Sequence, residues 1–168
     1  MIRLAKPWIG EDERRAVAAV LESGQLVQGE LVARFEQAVA ALLGRRHAVA
    51  ASSGTSALQL ALKALQVGGG DEVLCPALSW PSPAHAIRVA GAKVRFVDVD
   101  VDEWNSTAEA LREARSGITK AAIVIDQFGN PARAAEIREA LGALPLIEDA
   151  ACALGSRFQS RPCGSLGA

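Results

Sequence analysis

The sequence predicts an α/β fold: a three-layer sandwich around a mostly parallel sheet. Two observations carry this. From residue 47 onward, short apolar runs alternate with stretches of helical periodicity, and that alternation puts helices on both faces of a parallel sheet. The chain is also 168 residues long, half apolar and 22% charged, which suits one globular domain with a sizeable core. The predicted strands are 47–51, 72–75, 94–98, 121–125 and 145–148, and the helices between them are about 56–66, 82–90, 107–115 and 132–141.

Two helices precede this region. Residues 11–23 open on acidic residues, carry Val17, Val20 and Leu21 on one face, and stop at Gly24. After the turn-rich loop Gly24–Gly29, residues 30–43 place Leu31, Phe35, Val39 and Leu42 on one face before the cap Gly44. His47–Ala51 then reads as a short buried strand. Gly68-Gly69-Gly70 and Gly91 punctuate the alternating region.

The stretch Ser52–Leu58 joins the first predicted strand to a helix whose apolar residues are Leu58, Ala61, Leu62 and Leu65. A helix start carries N–H groups without intrahelical partners and a dipole that favours anions. Gly54 lets a ligand approach the backbone, and Thr55 and Ser56 add hydroxyl donors. The stretch therefore reads as a phosphate cradle or as ordinary N-capping.

Composition excludes several classes. A net charge of −1 with scattered Lys and Arg gives no nucleic-acid footprint, and no apolar run is long enough to cross a membrane. The opening Met1–Pro7 lacks the apolar core of a secretory leader. Cys75, Cys152 and Cys163 have no metal-ligand spacing and read as free thiols of a reducing cytoplasm. Two histidines and no tyrosine argue against a His-based metal site or a Ser-His-Asp triad, so no metal is expected.

In parallel sheets, ligands sit beyond the carboxyl ends of the strands. Trp80 falls in such a place, between Pro76 and Pro81, and reads either as a ring stacked on a planar ligand or as a side chain packed under the loop. Asp126 reads as a loop cap. Asp149 stands where the run Leu144–Ile147 opens into the crevice, as a turn cap or as a fixed anion for a cationic ligand atom.

In order and spacing, these residues resemble the DegT/DnrJ/EryC1/StrS family of sugar aminotransferases, pyridoxal-phosphate (PLP) enzymes of fold type I. The resemblance runs through Lys6-Pro7-Trp8, Gly24–Gly29, Phe35-Glu36, Ser53–Leu58, Gly70–Val73, Gly91-Ala92, Phe96–Asp98, Phe128–Pro131 and Glu148–Ala151. It implies that Gly54, Thr55 and Ser56 hold the cofactor phosphate, that Trp80 stacks on the pyridine ring, and that Asp149 pairs with the protonated ring nitrogen. Cys152 stands where the family usually has Gln or His against the ring hydroxyl, and a thiol is a poorer partner there. It reads as a buried Cys acting as a small apolar residue.

The resemblance further implies that residues 1–168 are the N-terminal part of an incomplete large domain. The region of the Schiff-base lysine and the small C-terminal domain follow this part in the family. None of Lys6, Lys63, Lys93 and Lys120 matches that lysine, so no catalytic residue is assigned here. The expected substrates are a keto-sugar nucleotide and an amino donor such as glutamate. The expected assembly is a homodimer or a pairing with a complementing C-terminal half, with Trp8 and the Gly24–Gly29 loop near the interface. The alternative is a non-catalytic PLP-binding or interaction module derived from the family. A Rossmann-type nucleotide binder is disfavoured because the first turn lacks G-x-G-x-x-G.

Overall fold

The computed structural model describes residues 6–167. The opening stretch Met1–Ala5, on which the absence of a leader partly rests, lies outside the described residues, as does Ala168.

The core is a four-stranded parallel sheet in the order β2-β1-β3-β4, formed by β1 (Glu72–Pro76), β2 (Lys93–Val97), β3 (Thr119–Ile125) and β4 (Leu146–Asp149). β1 and β3 are almost wholly buried and read as unbroken apolar runs, as strands covered on both faces must. Alternation along each strand sorts the side chains. Val73, Cys75, Ala121, Ile123, Ile125 and Ile147 face Leu58 and Leu62 of α3 (Gly54–Ala64) and Ala86 and Ile87 of α4 (Ser82–Val89). Leu74, Ala122, Val124 and Leu146 face Leu111 of α5 (Ala108–Ala114) and Ile137 and Leu141 of α6 (Ala134–Leu141). These are the three layers the sequence predicts.

The connections set the polarity. α3 leads into β1, so its N-terminus lies at the end of the sheet where β1 finishes. β1 exits to α4 on one face, and neighbouring β3 exits to α6 on the other. The crevice between the ends of β1 and β3 is thus a topological switch point, the usual ligand position in such sheets.

The N-terminal region departs from the expectation. α1 (Glu11–Ser23) and α2 (Glu30–Leu43) form where predicted, and each ends on a left-handed glycine, Gly24 or Gly44. Their apolar stripes are bare, however: α1 buries no residue and α2 buries only Ala40. Val17, Leu21, Leu31, Phe35 and Leu42 are all exposed.

The predicted strand 47–51 is not a strand. The segment has no regular secondary structure, and Val49 is 78% exposed. A strand needs a neighbour to satisfy its N–H and C=O groups, and no described strand pairs with this one. The segment is tied instead to α2, through the N–H of Ala50, which donates to Glu36 Oε1 at 2.8 Å.

Past β4, residues 150–167 form turns and a small antiparallel pair, β5 (Arg157–Phe158) with β6 (Arg161–Pro162). No helix among the described residues is long and apolar enough to cross a membrane.

Candidate functional site

α3 starts with a built cap. Ser53 Oγ accepts the N–H of Ser56 at 3.1 Å, and the Ser56 hydroxyl lies 3.0 Å from Ser53 Oγ and 3.2 Å from Ser52 Oγ. The N-capping reading is therefore correct for Ser53. It does not use up the helix start. The N–H groups of Gly54 and Thr55 and the Thr55 hydroxyl have no partner among the described residues. Gly54 is exposed, and a methyl group built on it would meet nothing within 4 Å, so the helix start is open on that side. Three free donors at the positive end of an eleven-residue helix suit an anion.

Asp149 closes β4 opposite Ile125. Ile147 faces α3, so the period of two turns Asp149 to the same face and Glu148 to the other. Asp149 is half-buried, and its Oδ1 accepts the N–H of Ala151 at 3.1 Å. It is thus a turn cap with a carboxylate oxygen left over. Trp80, in the loop after β1, is 81% exposed, so it is not packed under that loop.

Thr55, Ser56, Trp80 and Asp149 accordingly share the carboxyl edge of the sheet, and the helix start and Asp149 share its α3 face. No hydrogen bond joins the three groups among the described residues.

Cys152 differs from its reading: it is exposed rather than a buried apolar filler. It lies in the turns after β4, outside both core clusters, which cover the sheet faces and stop short of it.

The loop after β3 is welded in place. Asn105, 4% exposed, accepts the N–H of Gln127 at 3.1 Å and donates to Asn130 O at 3.0 Å. Ser156 donates to Gly129 O at 2.9 Å, and Trp104 packs edge-on against Phe128 with ring centroids 5.4 Å apart. Asp126 is fully buried. It does cap this loop, accepting the N–H of Ala132 at 2.8 Å through Oδ1, but Oδ2 has no partner.

Sequence reasoning missed one constellation altogether. Asp126, Glu148 and Cys163 bring a ligating atom each to within 4.8 Å of one another, on the sheet face away from Asp149. Cys163 is fifteen positions beyond Glu148 and shows no motif spacing. Only the period of β3 and β4 could have paired the two carboxyls.

The fold defines a class: α/β proteins with a parallel sheet, helices on both faces and a topological switch point, here flanked by a helix start with free donors, an exposed ring and a carboxylate. The family follows from comparison. The chain belongs to the DegT/DnrJ/EryC1/StrS aminotransferase family, whose profile matches residues 7–168. Its structural neighbours are fold type I PLP aminotransferases and their relatives. It is similar to the Escherichia coli GDP-4-keto-6-deoxy-D-mannose-3-dehydratase with bound hydrated PLP, at 32% identity, TM-score 0.91 and 98% coverage of this chain. It matches equally a structure of GDP-4-keto-6-deoxymannose-3-dehydratase with a trapped PLP-glutamate geminal diamine, at 32% identity, TM-score 0.91 and 98% coverage. The aminotransferase from Psychrobacter cryohalolentis is a third relative, at 32% identity, TM-score 0.91 and 96% coverage. The chain spans only 44%, 45% and 42% of these three proteins respectively.

Proposed function

We propose that this chain is the cofactor-binding part of a PLP-dependent enzyme that moves an amino group, supplied by glutamate, onto a keto-sugar nucleotide. The observation that carries the reading is the placement of Asp149 on the same edge and face as the open start of α3. Cofactor and substrate class are supported by relatives that hold PLP and a PLP-glutamate adduct and that are named for GDP-keto-sugars.

The residues fit the group. The N–H groups of Gly54 and Thr55 and the hydroxyls of Thr55 and Ser56 would hold its phosphate. The Ser56 hydroxyl would leave Ser52 and Ser53 to do so. Trp80 would lie against the ring, excluding water from one side. Asp149 would hold a proton at the ring nitrogen by charge pairing. Bound there, the cofactor supplies an electron sink for the carbon that exchanges its amino group. Cys152 sits near enough in sequence to Asp149 to face the ring edge, with weaker hydrogen bonding than an amide or imidazole.

On this reading none of Lys6, Lys63, Lys93 and Lys120 is the Schiff base, and the placement of the last three supports it. Lys93 opens β2 and Lys120 is the second residue of β3, both at the sheet end opposite Asp149. Lys63 stands nine residues along α3 from its start, about 13 Å at 1.5 Å per residue. The chain alone is therefore expected to be inactive. The bare stripes of α1 and α2 would be covered by a second copy or by a complementing C-terminal half. The cavity of about 530 Å³ between Val20, Gln25, Leu26, Val27 and Leu31 lies along that surface.

Absorbance titration with PLP tests the reading. The chain should bind it reversibly, and borohydride followed by peptide mass spectrometry should fix no adduct specifically on Lys6, Lys63, Lys93 or Lys120. Asp149→Asn should weaken binding by roughly tenfold or more, as for loss of a charge-assisted hydrogen bond. One specifically labelled lysine, or unchanged affinity in the variant, would reject the assignment.

A further inference from the structure

The two ends of β3 and β4 carry three carboxylates, and only Asp149 faces the proposed cofactor. Glu148 faces the other way and accepts three N–H groups from one segment of backbone. Its Oε1 accepts the N–H of Gly164 at 2.8 Å, and its Oε2 accepts those of Leu166 and Gly167 at 2.6 and 2.7 Å. The carbonyls of the same segment are held from the other side. Arg138 of α6 donates to Leu166 O at 2.5 Å and also to Gly167 O, and Arg45 donates to Gly167 O at 2.6 Å. The fit is close: a methyl group on Gly167 would lie 3.0 Å from both the Cβ and the N of Glu148. Segment 163–167 is thereby pinned against β4, directly behind Asp149.

A carboxylate offers about four lone-pair positions, so three N–H bonds leave Glu148 one acceptor position, on Oε1. The neighbouring Asp126 is fully buried and has an oxygen, Oδ2, with nothing to bond. An unpartnered buried carboxylate oxygen is costly, and Glu148 brings a carboxylate oxygen to within 4.8 Å of one of Asp126, so a proton held between the two would relieve it.

We infer that Asp126 and Glu148 share one proton, and that this pair is a positioning device that latches segment 163–167 to β4 and fixes Asp149 in the site. The part concerning Asp149 rests on the cofactor reading above. The latch itself does not.

The surroundings agree. Burial pushes the Asp126 carboxyl up to about 6, with the nearby Glu148 charge adding to the rise and the Ala132 N–H opposing it. Cys163, the third member, is pushed up to about 12 by burial and then by the charge of Asp126, so it stays a thiol. Among the described residues, Arg138 and Arg45 reach this segment from the other side, each donating to its backbone carbonyls. Because Asp126 titrates near 6 in the fold against an ordinary 3.8, the proton stabilises the fold at acidic pH. That contribution fades as pH rises through about 6, leaving two carboxylates facing each other.

Three measurements on the whole chain test this. Infrared difference spectra of the wild type between pH 5 and pH 8 should show the C=O stretch of one buried carboxylic acid disappearing near pH 6, and this needs no variant. Amide exchange at Gly164, Leu166 and Gly167 should lose roughly tenfold or more protection over the same range, beyond the intrinsic pH effect. Affinity for PLP should fall in step. In Asp126→Asn the amide donates to Glu148 at every pH, so all three steps should vanish. Steps that persist in Asp126→Asn overturn the inference, as does a wild type with no acid band. So does a divalent ion that co-purifies with the chain and whose chelation abolishes the protection. If the infrared and exchange steps are present but PLP binds at no pH, the latch stands and the cofactor reading fails.

Discussion

The N-terminal arm and the sheet domain use the same building block and reach opposite ends. α2 and α3 are both amphipathic helices with four apolar residues at helical spacing. α3 buries Leu58 and Leu62 against β1, β3 and α4, whereas α2 leaves Leu31, Phe35 and Leu42 in solvent. Periodicity shows which face of a helix wants cover, but not whether the cover belongs to the same 168 residues. The sheet domain closes its own core. The arm leaves its apolar stripe exposed, and segment 47–51 pairs with no described strand.

Cutting into both stripes should separate the two regions most strongly. Leu62→Ala removes a side chain with no exposure and should cost about 2–5 kcal/mol in chemical denaturation. The double variant Val17→Gln, Phe35→Gln touches residues that are each more than half exposed and should change stability by only about 0.5 kcal/mol per site. The wild type should self-associate at micromolar concentration in sedimentation velocity, and the double variant should do so less. A compact wild-type monomer, or a double variant as damaged as Leu62→Ala, would mean that the arm is packed after all.

A smaller effect separates capping from cofactor binding at the start of α3. Ser53→Ala removes the acceptor for the Ser56 N–H and should cost about 0.5–2 kcal/mol of stability. It leaves the Gly54 and Thr55 donors in place, so PLP affinity should change little. If affinity collapses with no loss of stability, the cap and the site are one feature.

The same contrast explains what was legible. Strands β1 and β3 are visible as nearly unbroken apolar runs, and all six α-helices are visible because an apolar stripe repeats at 3.6 residues whether or not it is covered. Thr55 and Trp80 could be singled out because they lie in the turn and the proline-flanked loop that follow strand-like runs, and Asp149 because it ends one, and topology then carries them to one edge. Segment 47–51 misled because its composition is that of a strand, while pairing depends on a neighbour that composition does not reveal. Cys152 misled because thiols are usually buried, and here the turn after β4 runs outside both core layers. The Asp126–Glu148–Cys163 cluster was invisible because a turn and a hairpin, not a motif, return Cys163 to the sheet.

Everything proposed for the site depends on the open start of α3 being a phosphate site that serves a planar cofactor held by Asp149. Comparing the affinities of the chain for pyridoxal phosphate and for pyridoxal, in the wild type and in Thr55→Val, tests this without relying on turnover. The phosphate should strengthen wild-type binding by roughly tenfold or more, the size of one charge-assisted hydrogen bond, and Thr55→Val should remove much of that advantage. Equal affinity of the wild type for the two compounds would contradict the assignment.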